Sequence, residues 1–432
     1  MKASRTPAVR SVLAAAVLAA ASAGAGAAQL PGTSAAALGM GENHTAIARG
    51  FAAVALNPAG LAMPEGPSAS ATILSIRAVG GLGPVDLGDL ADFEGGTVPA
   101  EVRQRWLDEI TTAGGEEGAA GGELTWLALQ AGRFGVQLAT TADMVASVGP
   151  GAAELLLFGN AGRTGEPVDI SLVGSRFDLA VTSTIGFAYA HPLVHADDRA
   201  LSAGATLTYT MGHLMATAFD ARGAATAEPL EVRFDLPVLQ TDPTLGLGGR
   251  ERGSGVGLDL GLAWQAGPIR AGFTVRNVFN TFAWNEEQLY FRAGAVTVDG
   301  ETRATDFAPQ PFSAAPDGVR SRLHDLRFAP MVAAGVAYQA RADLRVTGDV
   351  RQRIGESMSS APATHLGAGA EFRPVAWLPL RAGGAVITEG YLLAAGVGLD
   401  VGAVRLDAGA ATRNDDAGAA SLGMLTLSFL SR

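Results

Sequence analysis

Val256-Gly257-Leu258-Asp259-Leu260-Gly261-Leu262-Ala263-Trp264-Gln265 is a stretch in which two kinds of residue alternate. Its even positions are all large and apolar, and its odd positions are Gly, Asp, Ala and Gln. A period of two is the pattern of a β-strand whose two faces meet different surroundings. The same alternation recurs in 269–276, 344–351, 391–401 and 404–410. The body of the chain is therefore predicted to be β-sheet, with one apolar face and one polar or small face.

The connections between the strands separate a membrane barrel from a soluble sandwich or propeller. About fourteen strands of around ten residues are predicted, which is the length that crosses a bilayer at a barrel's tilt. Over the first eight strands, links of a few residues alternate with long connections at 79–122, 142–181, 213–252 and 279–327. The sequence thus predicts an all-β fold, a transmembrane antiparallel β-barrel over residues 67–432 with long external loops.

Charged residues on the predicted strands indicate which face is inward. An arginine facing lipid at the membrane midplane would cost about 2–4 kcal/mol, so these side chains are predicted to line the lumen and pair across strands. A soluble barrel with an apolar core has the same sequence period and remains the alternative. The charged residues are Arg270, Arg276, Arg341, Asp343, Arg345, Asp349, Arg351, Glu371 and Arg373.

The composition excludes several classes of protein. The chain has 432 residues, no cysteine and a single lysine, Lys2. It therefore has no thiolate, iron–sulfur ligands or disulfide, and beyond Lys2 no lysine for a Schiff base. Beyond the N-terminus no window reaches the roughly 18 unbroken apolar residues that a membrane-spanning helix needs.

The first residues resemble a secretory signal peptide. Lys2, Arg5 and Arg10 precede the short apolar run Ser11–Ala21, and small residues suited to cleavage follow at 25–28. A buried alanine-rich helix is the alternative, but it does not explain the cationic start. Residues 1–28 are therefore predicted to be a signal peptide that directs the chain to a bacterial envelope. The formal charge of −11 makes nucleic acid a poor partner.

Residues 29–66, called here the N-terminal segment, differ from the rest. Gly39–Ala53 is rich in Gly and Ala, and Asn57-Pro58-Ala59-Gly60-Leu61-Ala62 begins with an Asn-Pro turn signal. This combination, after a signal peptide and before a long β-rich body, resembles the FadL/TodX family of outer-membrane hydrophobic-compound transporters. It is also similar to the related PorV/PorQ-type barrels. The resemblance implies that the segment, with Asn57, Pro58, Ala59, Gly60 and Leu61, is a hatch inside a fourteen-stranded barrel.

The resemblance also implies a function. A FadL-like barrel would pass or bind fatty-acid or hydrocarbon-type molecules across the bacterial outer membrane, in contact with membrane lipid. A PorV-like barrel would instead be a non-enzymatic scaffold or shuttle for a protein of a secretion system. Apolar residues of the long loops are candidates for ligand binding. They are Leu156, Phe158, Phe279, Phe282, Trp284 and Tyr290, and packing into the loops' own small core is the competing interpretation.

No motif predicts catalysis, a cofactor or a metal. Six histidines are scattered, and the closest pair, His191 and His195, flanks Pro192 in a strand-to-turn context unsuited to helical metal ligation. Glycine repeats such as 253–257 lie within β-alternation and precede no helix, so small lumen-facing positions explain them better than nucleotide binding. The sequence predicts a protein that is not an enzyme.

Overall fold

The computed structural model describes residues 30–159, 163–166, 168–220, 222–227, 231–241, 252–298, 302–305, 308–325, 328–355, 361–415 and 418–431. The predicted signal peptide, residues 1–28, lies outside the described residues. Among the described residues, no helix has both the length and the apolar character to cross a membrane.

Fourteen antiparallel strands form one closed barrel, as the sequence predicted. Each strand pairs with its neighbours in sequence order, and the last strand pairs with the first, so the sheet has no free edge. The strands are β1 Ala69–Gly83, β2 Glu116–Ala131, β3 Phe134–Val148, β4 Arg176–His195, β5 Arg199–Phe219, β6 Gly253–Ala266, β7 Ile269–Asn280, β8 Met331–Arg341, β9 Leu344–Arg353, β10 Thr364–Val375, β11 Leu378–Ile387, β12 Gly390–Val401, β13 Val404–Asp415 and β14 Gly418–Leu430.

The two faces of the barrel have opposite chemistry. Large apolar side chains such as Leu207, Leu366 and Leu393 are exposed on the outside, more than half of each side chain being accessible. Alternate positions such as Thr206, Asp259 and Asp349 are buried inside. This distribution is that of a barrel surrounded by lipid and excludes the soluble alternative, which needs apolar residues inside. Arg341 and Asp343 do not pair across strands as predicted, because Arg341 ends β8, Asp343 lies in the turn that follows, and the two pair with each other at the rim of the barrel.

Aromatic side chains form a belt around the end of the barrel where the short turns lie, called here the short-turn end. Such girdles mark the level at which a barrel meets the membrane–water interface. The belt is formed by exposed residues close to the strand ends: Phe134, Tyr189, Trp264, Tyr338, Phe372, Trp377 and Phe429.

The opposite end, called the long-loop end, carries most of the remaining structure. Helices α3 Leu87–Ala91, α4 Ala100–Ala113 and α5 Pro150–Phe158 follow β1 and β3, and α6 Asp317–Asp325 precedes β8. Short strands at Ile170–Ser171, Ala224–Thr226, Glu231–Asp235, Ala295–Val298 and Thr302–Thr305 form a second, five-stranded sheet. Others at Val238–Thr241, Ala283–Trp284, Leu289–Arg292 and Gln310–Pro311 join the barrel sheet, and 3₁₀ turns lie at Glu286–Gln288 and Phe312–Ala314.

The N-terminal segment lies inside the barrel. It contains α1 Ala35–Gly39, α2 Ala53–Leu56 and 3₁₀ turns at Gly50–Ala52 and Pro58–Ala62. Helix α1 contacts β11 to β14, and the two turns contact β1 to β6, so the segment touches inward faces on both sides of the lumen. Most of its side chains from Leu30 to Met63 are buried.

Candidate functional site

Hydrogen bonds from the barrel wall hold the backbone of the N-terminal segment. The Asp349 carboxylate accepts the backbone N–H groups of His44 and Thr45 at 2.9 and 2.8 Å. Ser202 donates to the Ala59 carbonyl at 2.7 Å, and Thr206 donates to the Val54 carbonyl at 2.9 Å. These polar wall side chains satisfy backbone groups that would otherwise be buried without partners, since the segment has little regular structure of its own.

Asn57 joins two parts of the segment to the wall. Its amide nitrogen donates to the carbonyls of Thr45 and Leu262, at 3.0 and 3.1 Å. Its side-chain oxygen caps the following 3₁₀ turn by accepting the Ala59 N–H at 3.2 Å. Pro58, Ala59, Gly60 and Leu61 are all buried in this turn. The Asn-Pro signal read from the sequence thus places one amide where it bridges the segment and β6.

Glycines in the wall let the segment approach the strands closely. A Cβ on Gly396 of β12 would lie 2.8 Å from the Gly39 Cα, and one on Gly204 of β5 would lie 2.5 Å from the Ala59 nitrogen. Real side chains essentially never come this close, so an alanine at either position would displace backbone. The glycine repeats therefore belong to the inward surface of the barrel, where the sequence placed them.

Glu42 forms ion pairs between the segment and two strands of the wall. Its carboxylate lies 2.7 Å from Arg77 of β1 and 2.9 Å from Arg351 of β9. Burial alone would raise the pKa of Glu42, but the two guanidinium groups hold it well below its usual range. Arg351 also contacts His365, whose second ring nitrogen lies 3.1 Å from Asn43. The segment is thus tied to strands on both sides of the lumen.

A cavity of about 150 Å³ lies beside this ion pair, between the segment and the wall. One part of its lining is charged and includes Glu42, Arg77, Glu123 and Arg276. The opposite part is apolar and is formed by Leu38, Val79, Leu392, Leu422 and Met424. The lumen therefore holds one pocket with both a polar and an apolar side.

Sequence analysis did not predict the apolar side of this cavity. Leu392, Leu422 and Met424 are each at most 5% exposed and occupy the inward positions of β12 and β14. The signal that could have found them is an interruption of the alternation, where Leu392 adds an apolar residue between Tyr391 and Leu393. An apolar residue at an inward position of a barrel with a polar lumen indicates a place for an apolar ligand.

Three of the predicted ligand-binding residues lie in or beside one packed cluster of the long loops. Phe282 and Trp284 are buried, with ring centroids 5.3 Å apart, and they pack with Met215, Leu289 and Phe328. Tyr290 is half-buried in the neighbouring strand Leu289–Arg292. Phe282 and Trp284 therefore belong to a small core within the loops, which was the alternative to ligand binding. Phe279, at the end of β7, is half exposed.

Of the remaining two predicted residues, Phe158 lies beside a second cluster and Leu156 does not. Phe158 is half-buried at the end of α5, where Arg103 stacks on its ring at 5.0 Å. It packs against the cluster formed by Val85, Trp106, Leu107, Ile110 and Ala153. Leu156 of the same helix is 79% exposed. The six residues therefore do not converge on one pocket, and Leu156 and Phe279 are the ones that solvent reaches.

Side chains that could bind a metal ion are not clustered among the described residues. Within the residues that the structure describes, no three His, Asp or Glu side chains are placed to hold a metal ion. The carboxylates of Glu42, Glu371 and Asp407 instead form ion pairs with arginines.

The solved structures similar to this chain include a hydrocarbon channel and a toluene transporter. The monoaromatic hydrocarbon channel CymD superposes with a TM-score of 0.51 at 14% identity, covering 94% of this chain and 99% of CymD. The Ralstonia pickettii toluene transporter TbuX superposes with a TM-score of 0.49 at 16% identity, covering 93% of this chain and 98% of TbuX. A Pseudomonas aeruginosa FadL homologue superposes with a TM-score of 0.46 at 14% identity, covering 95% of this chain and 100% of the homologue. The likeness to CymD supports the fold, and none of these structures supports the PorV/PorQ-type alternative.

Comparison by sequence adds a family. No curated protein matches the chain. One family model, described as "F plasmid transfer operon, TraF, protein", matches residues 104–350, which is more than half of the chain. The match does not include residues 39–62, on which the FadL/TodX resemblance rests, and the sequence analysis did not predict it. By this match the chain belongs to the TraF family so described.

Proposed function

We propose that this protein is an outer-membrane transporter that passes small hydrophobic molecules through the barrel, with the N-terminal segment as its hatch. The observation that carries the proposal is the cavity of about 150 Å³, which lies inside a lipid-facing barrel and has the apolar side chains of Leu392, Leu422 and Met424 on one side. An engineered protein cavity of about this volume binds benzene. A monoaromatic hydrocarbon is therefore the ligand class that fits.

The fold agrees with this proposal. CymD, which shares the barrel at 14% identity, is a monoaromatic hydrocarbon channel. The segment fills the lumen, so a molecule can cross only if the segment moves or the wall opens. The ties from Glu42 to Arg77 and Arg351 are the contacts that such a movement must break.

Capture of the ligand is assigned to the long-loop end. Leu156 and Phe279 are the exposed members of the predicted set and are proposed as first contacts for an apolar molecule. Phe282, Trp284, Tyr290 and Phe158 are proposed to shape the loops that carry those contacts. A replacement of Phe282 or Trp284 would act mainly by loosening the loop cluster.

Uptake of radiolabelled toluene by cells that produce the protein tests the function. Replacing Met424 with Trp puts a larger side chain at an inward position beside the cavity, so uptake should fall well below that of the unmodified protein. The matched control is Leu425→Trp, because Leu425 is the next residue of β14 and faces outward, 57% exposed. Its uptake should remain normal.

Two results would contradict the proposal. An unmodified protein that adds no uptake over cells without it would reject transport. Equal uptake by the Met424→Trp and Leu425→Trp variants would show that the cavity is not part of the transport path. Both variants must first show the heat-dependent gel migration of a folded barrel.

A further inference from the structure

A second cavity, of about 530 Å³, lies at the short-turn end, on the other side of the barrel from the loops. Its lining is dominated by charge and contains four arginines but only three carboxylates. The residues are Glu65, Gly267, Pro268, Arg270, Gln339, Arg341, Ala342, Asp343, Arg345, Glu371 and Arg373.

Three of the four arginines are matched to the three carboxylates. Arg270 forms an ion pair with Glu65, Arg341 lies 3.1 Å from Asp343, and Arg373 lies 3.0 Å from Glu371. These pairs neutralise one another, so they leave one cation of the lining to account for.

Arg345 of β9 is that cation. Its Nε donates to the Gln339 side-chain oxygen at 3.0 Å. Among the described residues no carboxylate oxygen lies within 4.0 Å of an Arg345 nitrogen, the limit for an ion pair. Its two terminal amino groups are therefore left for the cavity. A guanidinium fork of this kind matches the two oxygens of a carboxylate or phosphate group.

Arg49 of the N-terminal segment adds to the positive charge. One of its amino groups donates to the Ala48 carbonyl at 2.8 Å, and the other is buried without a partner in the described part of the chain. Burial, together with the nearby charges of Arg270 and Arg345, lowers the pKa of Arg49 to about 9. Arg49, Arg270 and Arg345 therefore repel one another. The negative charge of Glu65 partly offsets this effect on Arg49.

We propose that this cavity is an oxyanion-binding site, centred on Arg345 with Arg49 behind it, that takes a molecule or headgroup bearing a carboxylate or phosphate. An anion bound by the Arg345 guanidinium would use its free donors, and its negative charge would offset the repulsion among Arg49, Arg270 and Arg345. The inference is independent of the proposed transport function, because it concerns a different cavity at the opposite end of the lumen.

Calorimetric titration of the full-length protein at low ionic strength, in a non-ionic detergent, tests the site. The probes are inorganic phosphate, acetate and, in nanodiscs, phosphatidylglycerol. Arg345→Gln should weaken binding of the effective probe about tenfold or more, since a hydrogen bond to a charged group contributes about 1.5–3 kcal/mol. Arg176→Gln is the matched control, because Arg176 has a carboxylate partner, Glu117 at 2.7 Å, and lies at the long-loop end away from this cavity, so it should change affinity less than about threefold.

The probes also distinguish the source of the anion. Binding of phosphate or acetate assigns a soluble anion, whereas binding of phosphatidylglycerol alone assigns a lipid headgroup, and both support the site. Arg49→Gln serves as a second variant and should weaken the same probe in the same direction. The inference is overturned if no probe binds the unmodified protein, or if Arg345→Gln, folded by its gel migration, binds as tightly as Arg176→Gln.

Discussion

Glu42 combines an uncommon backbone conformation with ion pairs to two strands of the barrel wall. Gly41 and Glu42 both adopt left-handed backbone conformations, with φ of 64°, which is uncommon for a residue with a side chain. The turn directs the Glu42 carboxylate at Arg77 and Arg351. A backbone conformation of this cost persists only where surrounding contacts fix it, and the two ion pairs supply such contacts.

Replacement of Glu42 by Gln should loosen the segment. The change leaves Arg77 and Arg351 without their shared anion, and loss of a hydrogen bond to a charged group costs about 1.5–3 kcal/mol. Single-channel conductance in planar bilayers should rise and fluctuate. Glu117→Gln is the matched control, because Glu117 also lies 2.7 Å from an arginine, Arg176, but beside the loops. Similar conductance in the two variants would contradict the role of Glu42.

The same contact determines how the segment responds to acid. Because the pKa of Glu42 is lowered in the folded protein, its contribution to stability is fully present above the ordinary glutamate pKa. That contribution is lost only as the pH falls through the lowered value. The attachment of the segment through Glu42 is therefore maintained under mildly acidic conditions.

At the scale of the element, the strands carry the segment through positions without side chains. Gly396→Ala should displace α1, because the new Cβ would meet the Gly39 backbone at 2.8 Å while the outward face of β12 stays unchanged. The displaced segment should become cleavable by added protease in intact barrels, measured by gel electrophoresis. Gly423→Ala of β14 is the control, since a Cβ there has no heavy atom within 4 Å. Equal protection of both variants would show that the glycine contact is dispensable.

Strand positions were predictable because lipid and lumen impose opposite chemistry on alternate residues. The alternating stretch 256–265 lies within β6, Gly253–Ala266. The predicted long connections 142–181 and 213–252 are too long, because β4 already begins at Arg176 and β5 continues to Phe219. Beyond the membrane no such constraint acts, so the pattern that marks a strand fades there although the hydrogen bonds continue.

The site was less predictable than the strands, for a related reason. The Asn-Pro motif located the segment, but it contains nothing that identifies Thr45 and Leu262 as partners of Asn57, which come together only when the barrel closes. Aromatic loop residues such as Trp284 were predicted to bind ligand or to form a loop core, and local sequence does not distinguish these two roles; the structure places Trp284 in a loop core.

At the scale of the whole molecule, the tryptophans provide a test of inside and outside. Trp126, Trp264 and Trp377 are exposed on the barrel, whereas Trp106 and Trp284 are buried in the loops. In liposomes containing brominated lipid, the fluorescence of a Trp106→Phe, Trp284→Phe variant should be strongly quenched. A variant with the three barrel tryptophans replaced by Phe should be quenched little, because its remaining indoles lie away from the lipid.

The opposite ranking of the two variants would contradict the lipid-facing assignment of the barrel exterior. Unbrominated liposomes are the control, since they report any change in emission that comes from altered folding. These five residues are all the tryptophans of the chain, so each variant isolates one population.

The closure of the barrel has a consequence for biogenesis. Ala35 donates its N–H to Thr426, and Ser68 lies 2.7 Å from Ser431, so residues that precede the first barrel strand bond with residues in and after β14, which are synthesised much later. Pairings this distant along the polypeptide form slowly, because nearly all of the chain must be ordered before they can occur. The nascent protein must therefore keep its leading portion accessible until its final strand arrives, and a chaperone that shields that portion too tightly would delay maturation.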